Sequence, residues 1–433
     1  MAFLNETGVA ELWSCIKDAA VSKVGDTVRT YRTDLGDKWA LCNGDMFDPN
    51  EYPELAEVTP DMLTLASTPH CISKSPFYGY YTHGVTKIGE YFLWFSYDST
   101  GKALQLHYSK DRFETWQTVA VVSSSDTISN AKLYYIKGVW YILYAKSNKV
   151  YLHYCTDEFV TGTWSSAVTV ASGCGTVLNM WFNEATQQYM IASSGYGSGS
   201  SNGSHYPYLL ASYDYTFSST SVTKLNNTSS GYAYCAVTDT QYIYVGCSNY
   251  STFEIVYGSL ASPTNANFHQ VTVASSDVYT RSGASYTNGK LFVPIQKALR
   301  VFNTIDDLSD YQDIALPDTF NLAGANVIYA NGKYVTICYT GSGSSASVYL
   351  CAFDTENGAV DYVNLTAVKD ANGNSLVTNS YSNFASYSGT FGEIFDNCFL
   401  IMNTGSLFRI PLYMLPISSP APMREYIKVK EGI

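Results

Sequence analysis

Charge is scarce in this sequence, and positive charge scarcer still. Of its 433 residues 14% are Asp, Glu, Lys or Arg, and 25 basic residues stand against 37 acidic ones. A net charge of −12 offers nothing to a phosphate backbone or an anionic bilayer, so neither nucleic acid nor membrane insertion is expected. Solubility accounts for the acidity. No CxxC pair occurs among the ten cysteines, and several sit inside apolar runs, such as Cys338 in YVTICY and Cys351 in VYLCAF. They read as buried reduced thiols, not as a disulfide framework or a zinc site, which implies folding in a reducing cytoplasm. No apolar run reaches about 18 residues and no charged-then-apolar leader opens the chain, so neither a membrane span nor a secretion signal is expected. No HExxH or GxxxxGK motif occurs. No cofactor or metal is expected.

What the sequence has is aromatic strand. Its 38 tyrosines suit pleated, half-buried surface. One phrase recurs: a small turn, five or six aromatic and aliphatic residues, a second such run, then a polar turn. It reads KIGEYFLWFS, IKGVWYILYA, NEATQQYMIAS, TDTQYIYVGCS, TNGKLFVPIQ, ANGKYVTICY and FDNCFLIMNT. The runs open at Tyr91, Trp140, Tyr189, Tyr242, Leu291, Tyr334 and Cys398, spaced 43 to 64 residues apart. Such a period with four strands per unit predicts an all-β chain forming a β-propeller of seven blades. Asn288-Gly289 and Asn331-Gly332 are strong hairpin turns, and Gly89 and Gly138 mark two more. The third strands align as LQLHYSKD, VYLHYCTD, PYLLASYD, FEIVYGSL, ALRVFNTI, VYLCAFDT and SLFRIPLY. His107 and His153 then share one blade position, which marks them as packing residues.

The ends differ. Residues 1–24 hold the one convincing helix, with Val9, Leu12, Trp13, Ile16 and Ala20 on a single stripe that needs a partner to be stable. Residues 25–68 are charged and turn-rich and form a small collar-like region. The propeller spans 69–415, and 416–433 closes the chain with a strand packing near that region.

At these ends the chain resembles a family. FLNETGVAELWSCIK looks like the opening helix of bacteriophage tail fibre proteins. WALCNGDMFDPNEYPEL is similar to the tail-collar pattern, and PISSPAPMREYIKVKE to the closing segment of many such fibres. The resemblance covers about 70 residues and implies a virion component at the phage tail tip, assembled in the host cytoplasm. It further implies other tail proteins as partners and a homo-oligomer, with a trimer favoured. A second resemblance lies in the turns after the third strands. SKDRFETW is similar to the Asp-box of sialidase-like propellers, CTDEFVTGTW is a stretched copy, and SYDYTF a fainter one. In these turns an aspartate such as Asp111 or Asp157 is expected to bond turn amides, with Trp116 or Trp164 packing between sheets.

The sialidase family's arginine triad has no counterpart. The propeller holds only Arg112, Arg281, Arg300 and Arg409, and of these only Arg281 falls in a loop at the functional rim. A glycosidase needs two facing carboxyl groups. The loops before each first strand, or between second and third strands, offer only Asp98, Asp126, Asp277 and Asp318. The expectation is therefore no catalytic residue and no enzymatic activity. Those loops are instead rich in Tyr, Ser, Gly and Asn, the composition of adaptable recognition surfaces. Tyr78, Tyr80, Tyr81, His83, Tyr196, His205, Tyr206, Tyr232, Tyr250, Tyr279, Arg281 and Tyr381 are the candidate ligand-binding residues. The reading is a receptor-binding protein, an adhesin for a bacterial surface glycan or surface protein. A glycan-degrading enzyme on the same propeller, or a purely structural tail protein, are the alternatives.

Overall fold

The structure is a computed structural model that describes residues 27–30, 39–41, 52 and 55. Between 86 and 428 it describes all but 98–102, 111–114, 124–127, 161, 197–204, 228–230, 249–251, 273–283, 296–297, 318–320, 323–326, 331–332, 342–346, 357–359, 365–391, 396–397, 404–405 and 412–423. The expected helix over 1–24 lies outside these residues. Among them no helix is long and apolar enough to cross a membrane.

The chain divides into two compact units. In the first, Arg424–Lys428 is the central strand of a three-stranded sheet, between Thr27–Thr30 and Trp39–Leu41. Both pairings are antiparallel, with Tyr426 opposite Val28 on one side and Leu41 on the other.

The second unit contains the repeat. Its first sheet is a four-stranded antiparallel meander of Thr86–Ile88, Tyr91–Tyr97, Ala103–Ser109 and Gln117–Ser123. The second follows with Ser129–Ile136, Val139–Lys146, Lys149–Cys155 and Val168–Ser172, and the third with Thr176–Asn183, Gln188–Tyr196, His205–Ser212 and Ser221–Lys224. The fourth is Gly231–Val237, Gln241–Ser248, Thr252–Ser259 and Asn267–Thr272; the fifth is Ser285–Thr287, Lys290–Ile295, Ala298–Phe302 and Tyr311–Ala315. In the sixth, Asn321–Leu322 and Ile328–Ala330 both pair with Lys333–Thr340, which continues through Ser347–Phe353 to Val360–Asn364. A three-stranded sheet follows, Gly392–Phe395, Cys398–Asn403 and Ser406–Pro411. From the second sheet to the sixth, the first strand of each lies beside the first strand of the next. Radial meanders with adjoining innermost strands make a β-propeller.

Sheet-on-sheet packing explains the aromatic runs. Side chains alternate faces along a strand, and here both faces are covered. In VWYILYAK, Trp140, Ile142 and Tyr144 enter the core between the first and second sheets. Tyr141 and Leu143 enter the next core, against the third sheet. Seven consecutive residues of that strand are buried, so it reads as an unbroken apolar run. The fourth sheet repeats the division: Tyr242 and Tyr244 face the third sheet, Ile243 and Val245 the fifth.

Polar side chains latch neighbouring sheets. Asn179 Nδ2 donates to the Cys235 carbonyl at 3.2 Å, and Tyr244 OH to the Tyr208 carbonyl at 2.6 Å. Tyr234 OH accepts from the Tyr286 amide at 2.8 Å, and Ser285 Oγ from the Val327 amide at 2.8 Å. The two aligned histidines also hold structure. His107 is buried, with Nδ1 2.8 Å from Thr118 Oγ1, while His153 Nδ1 donates to the Ser165 carbonyl at 2.7 Å. Burial alone brings His107 down to about 4. Cys155, Cys174, Cys235, Cys338 and Cys351 are free, buried thiols.

Turn chemistry fits the sequence only in part. Asn288 and Gly289 both take positive φ, as do Lys137 and Gly138. Ser147 and Asn148 do the same without a glycine. Among the Asp-box-like turns, the faintest copy makes the full set of bonds: Asp214 accepts from the amides and hydroxyls of Thr216 and Ser218. Asp157 is exposed and takes no such bond; Phe159 from that turn fills the core beside Tyr91, Tyr108 and Trp140. Asp111 lies outside the described residues.

The bonds from Ser218 and Thr216 hold the Asp214 carboxyl down at about 2, from an ordinary 3.8. A depressed carboxylate stabilises the fold above its unfolded value and loses that contribution as pH falls through its folded one. Asp214→Ala is therefore expected to cost on the order of 1–2 kcal/mol at neutral pH. The difference from wild type should close between about pH 4 and pH 2 in chemical denaturation.

Candidate functional site

The loops carrying most candidate residues lie outside the described residues: Tyr78, Tyr80, Tyr81, His83, Tyr250, Tyr279, Arg281 and Tyr381. The other four fall together, at the end of the third and fourth sheets where second strands finish and third strands begin. Tyr196 and His205 face each other in register as the last pair of their strands. Tyr206 is half-buried, opposite Gly195, and the Lys224 ammonium lies 3.6 Å from its ring centroid. That cation over an aromatic face is a polar, partly solvated corner.

Tyr232 is different. It is expected in a loop, but the strand begins at Gly231 and carries it inside, 4% exposed, edge-on to Tyr244 at 6.1 Å. It packs the core between the third and fourth sheets and is corrected from surface contact to core residue.

Beside it is a residue the sequence argument passed over. Tyr232 pairs with Gly246, and Gly246 with Glu254. Directly opposed residues of antiparallel strands share a face, so Tyr232, Gly246 and Glu254 form one row, on the face that Val256 turns to the third sheet. Gly246 has no side chain because none fits. A Cβ there would stand 2.9 Å from the Gly231 carbonyl oxygen and 2.9 Å from the Tyr232 ring.

Glu254 is 0% exposed, and neither carboxylate oxygen has a hydrogen-bond partner. A buried carboxyl with no partner is costly, and native structures keep few of them without a use. Arg300, buried in the fifth sheet, is treated conventionally: it is held by both Asp313 oxygens, at 2.7 and 2.8 Å. The signal for Glu254 is in the sequence. It is the one acid within the apolar run TFEIVYGS, and a glycine stands opposite it in QYIYVGCS.

Ser193 and Ser194, both fully buried, tie this end down: Ser193 Oγ donates to the Cys174 carbonyl at 3.1 Å, and Ser194 Oγ to the Tyr232 carbonyl at 3.3 Å. The result is an end tied by buried hydrogen bonds, with a tyrosine and a lysine at its edge and an unspent carboxyl within. A glycosidic cleavage takes two such carboxyl groups. Asp98, Asp126, Asp277 and Asp318, the acids expected at this rim, lie outside the described residues. Among the described residues no three His, Cys, Asp or Glu side chains gather as a metal set would.

No protein-family model and no curated protein matches the chain. Solved structures do resemble it. A Trypanosoma rangeli sialidase in complex with the inhibitor DANA is 11% identical with a TM-score of 0.44, over 69% of this chain and 60% of that one. A Penicillium chrysogenum alpha-L-arabinanase complexed with arabinobiose is 14% identical with a TM-score of 0.41, over 68% and 98%. The AfRom2 CNH domain is 9% identical with a TM-score of 0.44, over 78% and 99%. The chain thus spans about 60% of the sialidase's length. Likeness at this level assigns neither family nor activity. It does correct one expectation. The sequence argued that the chain is no enzyme, yet a sialidase and an arabinanase stand among the structures similar to it, and the non-enzymatic reading is dropped.

Proposed function

We propose that the chain binds a glycan at the strand ends of its third and fourth sheets and cleaves it, with Glu254 supplying one of the two carboxyl groups. The observation that carries this reading is the carboxyl of Glu254, buried and without a single hydrogen bond. Tyr206, with its ring under the Lys224 ammonium, supplies an aromatic face on which a sugar ring can stack. Incubating the full chain with defined neutral and acidic bacterial surface polysaccharides, then measuring new reducing ends, tests the reading. Release by the wild type that Glu254→Gln abolishes supports it. Release unchanged in Glu254→Gln removes Glu254 from the chemistry. Binding without release reduces the function to recognition.

A second part of the proposal concerns the ends. Trp39–Leu41, from the stretch similar to the tail-collar pattern, and Arg424–Lys428, from the stretch similar to the closing segment of such fibres, pair with each other in one small sheet. We propose that this sheet and the residues before it attach the propeller to a phage tail tip, as a homo-oligomer facing a bacterial surface glycan. Light scattering of the full chain should give a multiple of 47.7 kDa. Deletion of residues 1–68 should return the monomer mass; a full-length monomer would contradict self-assembly.

A further inference from the structure

Four residues surround Glu254 on its own face of the fourth sheet, and only one of them is exposed. Along the strand these neighbours are Val256, fully buried, and Thr252, half-buried. Across the sheet towards the propeller axis stands Gly246, where the Gly231 carbonyl and the Tyr232 ring leave no room for a methyl group. From the third sheet, Ser194 is fully buried and spent on the Tyr232 carbonyl.

The fourth neighbour is Gln270, directly opposite Glu254 on the outermost strand, Asn267–Thr272. It is exposed, as are Asn267, Phe268 and His269 before it. Phe268 pairs with Val256, so it shares the face of Glu254 and Gln270, and it is 41% exposed. An aromatic ring in solvent and a carboxamide, with two donors and an acceptor oxygen, thus stand beside the buried carboxyl. On the outermost strand of the third sheet, half-buried Thr223 lies opposite Leu209 and faces the same core, which half-buried Leu225 also touches.

We propose that a glycan reaches Glu254 from the outer edge of the fourth sheet, with one sugar ring on Phe268 and its hydroxyls bonded to the Gln270 carboxamide. The C–H face of a sugar packs on an aromatic face, and its hydroxyls both donate and accept, as a carboxamide does. This rests on the reading of Glu254 as a working carboxyl. It goes beyond that reading in placing the substrate at the sheet's outer edge and not over the propeller axis.

Carboxyl labelling of the full chain reads the route without any glycan. Treatment with a water-soluble carbodiimide and glycine ethyl ester, followed by mass spectrometry, measures the label on Glu254. Gln270→Ala should label there several-fold faster than wild type, and Gln270→Trp several-fold slower. Kinetics of reducing-end release from bacterial surface polysaccharide test the sugar contacts. Phe268→Ala and Gln270→Ala should each raise KM about tenfold, a larger change than in kcat. Tyr311→Ala, 44% exposed on the outermost strand of the fifth sheet, should leave KM unchanged. Unchanged Glu254 labelling in both Gln270 variants overturns the route, and a wild-type KM in both Phe268→Ala and Gln270→Ala overturns the contacts. Neither result touches the role of Glu254. Cleavage by Glu254→Gln at the wild-type rate removes that role by itself, and the labelling still decides the route.

Discussion

Replacing Glu254 by methionine is expected to make the protein more stable and inactive. The side chain is of similar length, and its row already contains Tyr232 and the bare Gly246. Removing a buried carboxyl that makes no hydrogen bond relieves a desolvation cost that nothing offsets, so a gain of about 1–3 kcal/mol is expected. Urea denaturation followed by circular dichroism measures it. The same substitution, and Glu254→Gln, should lower glycan cleavage by roughly a hundred- to ten-thousand-fold, the range for loss of one proton-transfer group. The two effects run in opposite directions, which separates a functional carboxyl from a structural one. A structural Glu254 would lose stability on substitution.

Gly195→Ala should be among the most damaging single-methyl additions in the propeller. A Cβ at this position would lie 2.3 Å from the Gly173 carbonyl oxygen and 2.4 Å from the Cys174 Cα. Both are backbone atoms of the segment linking the second and third sheets, so no rotamer change relieves the overlap. The segment must move, and with it the Ser193 bond to the Cys174 carbonyl. A loss of about 3 kcal/mol or more is expected. Gly138→Ala is the control. Its φ is +81° with nothing within 4 Å of an added Cβ, so only backbone strain applies, about 1 kcal/mol. Thermal melts of the two variants should differ clearly; equal losses would mean that the close approach at Gly195 is not structural.

The repeat was legible because second strands such as Val139–Lys146 and Gln241–Ser248 send buried side chains to the cores on both of their faces. Tyr91, Trp140, Tyr189, Tyr242, Leu291, Tyr334 and Cys398 all lie within the first two residues of those strands. The third-strand alignment placed Arg300 correctly, and Asp313 opposite it accounts for its charge. The turns were less legible, because Asp-box character follows local amide geometry more than the motif's letters: SYDYTF makes the bonds that CTDEFVTGTW does not. Tyr232 was misplaced for a related reason. Its Ser/Gly-rich approach reads as loop, but strand pairing starts one residue earlier, at Gly231.

Glu254 escaped because a charged residue in an apolar strand is ordinarily an outward-facing one. In Thr252–Ser259 every residue before the last is buried or half-buried, so no outward face exists there. What decides its environment comes from distant residues, those of the third-sheet face. The expectation of a non-enzyme rested on the absence of glutamate from the rim loops, and Glu254 sits two residues inside a strand, just past such a loop.

The central claim is that Glu254 is a working carboxyl of a glycan-cleaving site. Mass spectrometry of products from bacterial surface polysaccharides incubated with wild type and with Glu254→Gln tests it most directly. Shortened oligosaccharides with the wild type, and intact polymer bound but uncut with Glu254→Gln, are predicted. Cleavage by Glu254→Gln at the wild-type rate would contradict the account.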